Sequence, residues 1–178
     1  MSYFINFLTL SRIFLGAIIF ALLTRPEGYL LAFILFFVAG VTDYFDGYLA
    51  RKYNLTSQIG EILDPIADKI LIVFVLFGLS VNLTSYFIAF MASLIITREI
   101  WVGALRDFNA RQGRSDVTKV TFLAKIKTSV QLFTISIYLL GLTLSNMLFI
   151  LFGDLFLFLS LLITIYTGYI YTYNSLKN

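Results

Sequence analysis

The chain has no cysteine and no histidine among its 178 residues, and only 13% of it is charged. Without cysteine there is no disulfide and no thiolate nucleophile, and with histidine also missing there is no zinc site of the His/Cys kind. A histidine base is excluded as well, so any general base must be a carboxylate, a lysine or a tyrosine. The scarcity of charge bounds the fold. Soluble domains carry roughly 25% charged residues, whereas this chain is 60% hydrophobic. It lacks the polar surface to cover itself in water, and its expected solvent is the lipid bilayer.

No hydrophilic stretch is long enough for a soluble second domain, so residues 1–178 read as one membrane-embedded domain. The net charge of +3 does not call for nucleic acid, because a basic excess in a membrane protein marks cytoplasmic loops. Six apolar stretches approach the roughly 20 residues that a hydrocarbon core demands: Leu8–Leu23, Tyr29–Leu49, Ile66–Val81, Tyr86–Leu105, Ile126–Leu144 and Met147–Tyr171. Arg25-Pro26-Glu27-Gly28, Asn82-Leu83-Thr84-Ser85 and Ser145-Asn146 supply breaks between them. Arg51 and Lys52 lie between the second and third spans, and Arg106, Arg111, Arg114, Lys119, Lys125 and Lys127 lie around the fourth and fifth. The positive-inside rule then places both termini and both basic loops in the cytoplasm, and the expected location is the cell's inner, cytoplasmic membrane. The start is not a secretory signal: it has no basic n-region, and Arg12 interrupts the apolar run.

Against this apolar background stand four aspartates in the frame Asp43-x2-Asp46-Gly47-x2-Ala50-Arg51-x8-Gly60-x3-Asp64-x3-Asp68. On helices, spacings of three and four put each pair of acids on one face. An ionised Asp near the bilayer centre costs roughly 2.5–3.5 kcal/mol, so four in one helical hairpin demand compensation. Two such faces meeting would gather oxygen ligands for hard divalent cations, which relieve both repulsion and desolvation. Gly47 and Ala50 leave room on the helix for a nucleotide and its phosphates to approach the backbone. The frame points to pyrophosphate chemistry at the cytoplasmic face of a membrane.

This frame resembles the signature of the CDP-alcohol phosphotransferases, integral membrane enzymes of phospholipid synthesis, every fixed position of which is filled between Asp43 and Asp68. The resemblance implies an all-α integral membrane protein, a six-transmembrane-helix bundle that is usually a homodimer. It implies two divalent ions, Mg²⁺ or Mn²⁺, held by Asp43, Asp46, Asp64 and Asp68, with Asp68 also the catalytic proton acceptor. Gly47, Ala50, Arg51 and Ser57 would line the site for the head of CDP-diacylglycerol. Asn6-x-Leu8-Thr9-x2-Arg12 is similar to the family's N-terminal element, which brings Asn6 toward the nucleotide; Thr9 and Arg12 read equally well as a cap and an interfacial anchor.

A second polar cluster carries the choice of acceptor. Arg98 and Glu99 lie inside an apolar span, which marks them as functional. A cytoplasmic ring of Arg98, Arg106, Lys125 and Lys127 would neutralise a dianionic phosphate, Arg by its fork and Lys as a point charge. Asp64-Pro65-x-Ala67-Asp68-Lys69, Arg98-Glu99-Ile100, Ala104-Leu105-Arg106 and Lys125-x-Lys127-Thr128 together resemble the branch of the family whose acceptor is sn-glycerol 3-phosphate. That branch transfers the phosphatidyl group to the sn-1 hydroxyl and yields phosphatidylglycerol phosphate and CMP. Ala124 departs from it, standing where a glycine is usual. The alternative within the family is the cardiolipin-forming branch, which takes phosphatidylglycerol and typically has Arg-Asp at 98–99 and a neutral residue at 127. The non-enzyme alternative, a cation channel or transporter, usually shows broken helices and pseudo-repeats, and neither is evident.

Overall fold

The structure, a computed structural model, describes residues 2–53, 58–114, 116 and 122–177; side chains are described for 10–43, 63, 66–114, 116, 122–123 and 126–177. Six long helices account for nearly all of this: α1 (Ser2–Leu22), α2 (Tyr29–Tyr53), α3 (Gln58–Asn82), α4 (Tyr86–Arg111), α5 (Phe122–Thr143) and α6 (Met147–Lys177). There is no strand among the described residues. The protein is a helical membrane bundle. By length and apolarity Pro26–Asp43, Tyr86–Arg111, Ile126–Thr143 and Met147–Lys177 each suffice to cross a bilayer, while the apolar run of α1 among the described residues is shorter, Leu10–Leu22. The first half of α3 carries Asp64, Asp68 and Lys69, so its long apolar run is confined to the second half.

The helices close into a ring in which α1 packs on α3, α3 on α4, α4 on α6, α6 on α5, α5 on α2 and α2 back on α1. Each presents a stripe at helical spacing to the interior: Ala32, Phe36 and Ala39 on α2; Leu71, Ile72, Val75, Leu76 and Leu79 on α3; Ile88, Ala92 and Ile95 on α4; Ile135, Tyr138 and Leu139 on α5. The outward faces stay equally greasy, with Phe14, Phe37, Phe90, Phe133, Leu155 and Tyr169 exposed. An apolar exterior is what lipid requires, and between helices in lipid the attraction is close packing rather than water exclusion.

Tight turns join α3 to α4 and α5 to α6. At the first, Ser85 N–H donates to the Ser80 carbonyl and Thr84 N–H to that of Val81; at the second, Asn146 N–H donates to Gly141 and Ser145 N–H to Leu142. This is the Schellman closure, whose pivot adopts left-handed backbone. The pivots are Thr84 (φ 46°) and Ser145 (φ 50°), not glycine. Nearby, Asn82 Nδ2 donates to the Leu23 carbonyl and the Tyr29 hydroxyl, both at 2.7 Å, tying the α1–α2 turn to the end of α3.

Asp154 stands alone in the last apolar stretch and has a partner on the neighbouring helix. The Tyr138 hydroxyl donates to its Oδ1 at 2.6 Å, and Tyr138 is 0% exposed. Gly153 makes this possible, because a Cβ there would stand 2.7 Å from the Tyr138 ring. The pair joins α5 to α6 about 10 Å along α6 from its start. Tyr138→Phe would leave the carboxylate without that donor inside the bundle. The expected loss is about 1–2 kcal/mol in detergent unfolding, and an unchanged unfolding midpoint would show that the bond contributes nothing.

Candidate active site

Among the four aspartates, Asp43 and Asp68 have described side chains, and α1 brings them together. Arg12, 2% exposed, donates from Nη1 to Asp43 Oδ1 and, at 2.6 Å, to Asp68 Oδ1. One guanidinium nitrogen thus touches acids from α2 and α3, which lie 31 and 56 residues away along the chain. Ionic hydrogen bonds of this kind are the strong ones. Oxygen ligands of this kind are the ones a hard divalent cation takes, and here both are engaged by the guanidinium. Among the described residues no group of three or more acids forms a metal cluster. Asp46 and Asp64, and with them Asn6, Gly47, Ala50, Arg51 and Lys125, lie outside the residues described at side-chain level; Ser57 lies outside the described residues altogether.

Beside Asp68 a cavity of about 540 Å³ opens between α3, α4 and α5. Its polar wall is Asp68, Lys69, Arg98, Glu99, Arg106, Lys127, Thr128 and Gln131, and the rest is aliphatic with Phe74. Glu99 organises this wall. Its Oε1 accepts from Arg98 Nη1 at 2.9 Å and from Lys127 Nζ, and its Oε2 lies 3.9 Å from Lys69 Nζ. Three cations from three helices therefore converge on one carboxylate. Even so, Lys69, Arg98, Arg106 and Lys127 outnumber Asp68 and Glu99 by two charges on the cavity wall. A wall of this charge suits an anion. Arg98 Nε, Arg106 Nε and Gln131 Nε2 are also buried donors with no partner among the described residues, and all three side chains line the cavity.

The arginines are aimed by α6. Arg98 Nη2 donates to Thr167 Oγ1 at 2.7 Å, and Arg106 Nη2 makes a longer contact, 3.4 Å, with the Tyr171 hydroxyl. The Tyr171 ring lies under both guanidinium groups, with centroid distances of 5.9 Å to Arg98 and 5.3 Å to Arg106. Gly168 completes the seat: a Cβ there would stand 3.1 Å from Arg98 Nε. Further along the same seam Asn109 Nδ2 donates to Ser175 Oγ at 2.9 Å and Trp101 Nε1 to Thr172 Oγ1 at 2.9 Å.

Of the acceptor-site residues expected from sequence, the structure places Arg98, Arg106 and Lys127 around one cavity, adjoining Asp68. Sequence reading missed the part played by Thr167, Gly168 and Tyr171. The available signal was the buried spacing Ser160, Thr164, Thr167, Tyr171 and Ser175, a polar stripe on an otherwise apolar helix. Arg12 is not the interfacial anchor that one of its two readings makes it: it is buried and bridges the acids Asp43 and Asp68.

Comparison with known proteins bears on this arrangement. Residues 4–166 match the family described as CDP-alcohol phosphatidyltransferase. A CDP-diacylglycerol–glycerol-3-phosphate 3-phosphatidyltransferase of Rickettsia bellii is 42% identical over 171 residues, covering 93% of this chain and 91% of the relative. Proteins of the same description from Rickettsia typhi (38% identity, 93% of each chain) and Blochmanniella floridana (35% identity, 94% of this chain and 88% of the relative) extend the similarity. Near full-length similarity at this level, joined to a family match over most of the chain, settles membership: this protein belongs to the CDP-alcohol phosphatidyltransferase family.

Proposed function

We propose that the protein transfers the phosphatidyl group of CDP-diacylglycerol to the sn-1 hydroxyl of sn-glycerol 3-phosphate, forming phosphatidylglycerol phosphate and CMP. The relatives' descriptions support it. The observation that carries it is the cavity beside Asp68, where, among the described residues, cations exceed acids by two and three buried donors lack partners. Such a wall suits a small dianion with hydroxyls rather than a bulky lipid head.

In this reading Asp68 accepts the proton of the attacking hydroxyl, the oxygen bonds to the phosphatidyl phosphorus, and the bond to the CMP oxygen breaks in line. Lys127, Arg98 and Arg106 hold the acceptor's phosphate, with Lys125 at the same helix start, while Glu99 fixes the first two in place. Asn6, Gly47, Ala50, Arg51 and Ser57 surround the cytidine diphosphate. Asp43, Asp46, Asp64 and Asp68 would hold two divalent ions, Mg²⁺ or Mn²⁺, which would supply positive charge to the pyrophosphate oxygens. Arg12 keeps Asp43 and Asp68 from repelling each other and so maintains the shape of that donor set. The site faces the cytoplasm with both termini, the acyl chains remain in lipid, and the chain acts as one domain in a homodimer.

The test is CMP release from CDP-diacylglycerol by the purified protein, offered glycerol 3-phosphate or phosphatidylglycerol, with and without divalent metal. Release with glycerol 3-phosphate, at least tenfold faster than with phosphatidylglycerol and lost on chelation, is expected. Preference for phosphatidylglycerol would reassign the acceptor to the cardiolipin-forming reaction.

A further inference from the structure

We infer that Gln131 reads the non-reacting C2 hydroxyl of the acceptor, which makes it a specificity-determining residue. The inference rests on the acceptor assignment above. Gln131 sits on α5 one helical turn beyond Lys127, so the two side chains share a face, and both line the cavity beside Asp68. It is 4% exposed, and its Nε2 has no partner among the described residues. An unmatched buried amide donor is costly to a fold unless something completes it.

The chemistry of the wall divides the work. Phosphate oxygens only accept, and Lys127, Arg98, Arg106 and Lys69 already supply charged donors for them. The reacting hydroxyl belongs to Asp68. What remains on a glycerol phosphate is one neutral hydroxyl that both donates and accepts. A carboxamide, with an N–H₂ and a carbonyl on one planar group, is the neutral side chain that meets both demands. A long amide in an apolar span is otherwise a poor choice, since Leu or Met would fill the same space without an unmatched donor. Sites built to bond a hydroxyl reject analogues that lack it far more strongly than sites that only enclose it.

The experiment compares sn-glycerol 3-phosphate with 3-hydroxypropyl phosphate, which keeps the phosphate and a primary hydroxyl but lacks the C2 hydroxyl. The readout is kcat/KM for CMP release from CDP-diacylglycerol. Wild-type protein is expected to prefer glycerol 3-phosphate by about 30-fold or more, the scale of one buried hydrogen bond. Gln131→Met should lose about 30-fold with glycerol 3-phosphate and stay within about threefold with the deoxy acceptor, so the preference collapses. Turnover of the deoxy acceptor by the variant also reports that it is folded. Gln131→Asn, which keeps the amide but pulls it back by one methylene, should fall between the two. Equal loss with both acceptors, or a preserved preference in Gln131→Met, overturns the inference and leaves the acceptor assignment standing. Wild-type protein that uses both acceptors equally also overturns it, and no CMP with either acceptor overturns both readings.

Discussion

Asp68→Asn is expected to lower CMP release by about 10³-fold while the protein keeps its unfolding midpoint within a few degrees. The substitution preserves size but removes the charge, and with it the carboxylate on that side of the cavity that is placed to take the hydroxyl proton. With no histidine and no cysteine in the chain, the cavity wall offers two carboxylates. Glu99 is committed to Lys127 and Arg98. Asp68 lies beside Asp43 on the Arg12 bridge, where the pyrophosphate is expected to sit. A general base of this kind contributes about 10²–10⁴-fold, and Asp68 would also lose one oxygen from the ion-holding set. The two contributions separate in a second measurement, Mn²⁺ binding followed by electron paramagnetic resonance. A variant that still binds Mn²⁺ but does not turn over has lost its base, whereas turnover within about threefold of wild type would remove Asp68 from that role.

The helices were legible in the sequence because a bilayer leaves little choice: long apolar runs must become helices that satisfy their own backbone. The breaks at 82–85 and 145–146 were legible as polar interruptions. Their closure was not, since Thr84 and Ser145 occupy left-handed positions where glycine is the usual signal. The aspartates and the basic residues were legible as chemistry, because charge in an apolar span is costly enough to stand out. What a single sequence does not encode on its face is which helix meets which. The ring order brings Arg12 of α1 to Asp43 and Asp68, and α6 beneath Arg98 and Arg106. A threonine, a glycine or a tyrosine on a greasy helix looks lipid-facing until its neighbour is known. Thr167, Gly168 and Tyr171 became interpretable only once Arg98 and Arg106 were seen to rest on them.

Arg12→Met is expected to destabilise the protein by about 2 kcal/mol and to lower turnover by about 10²-fold or more. Removing one member of a fully buried ion pair costs about 3–5 kcal/mol, because the remaining charge is stranded. Here the guanidinium is buried but Asp43 and Asp68 are each more than 40% exposed, so water recovers part of that cost. The catalytic loss is the larger effect. Without the bridge, two like charges from α2 and α3 move apart, and a displacement of an ångström at a reacting centre costs about 10²-fold. Arg12→Lys separates charge from reach. Its ammonium keeps the positive sign, but the side chain ends one bond earlier, about 1 Å short of the guanidinium nitrogen that both acids share. The lysine variant should therefore recover most of the unfolding midpoint and little of the turnover. Full turnover in Arg12→Lys would show that the site needs only a nearby cation. Unchanged stability in Arg12→Met would show that α1 is held to α2 and α3 by packing alone.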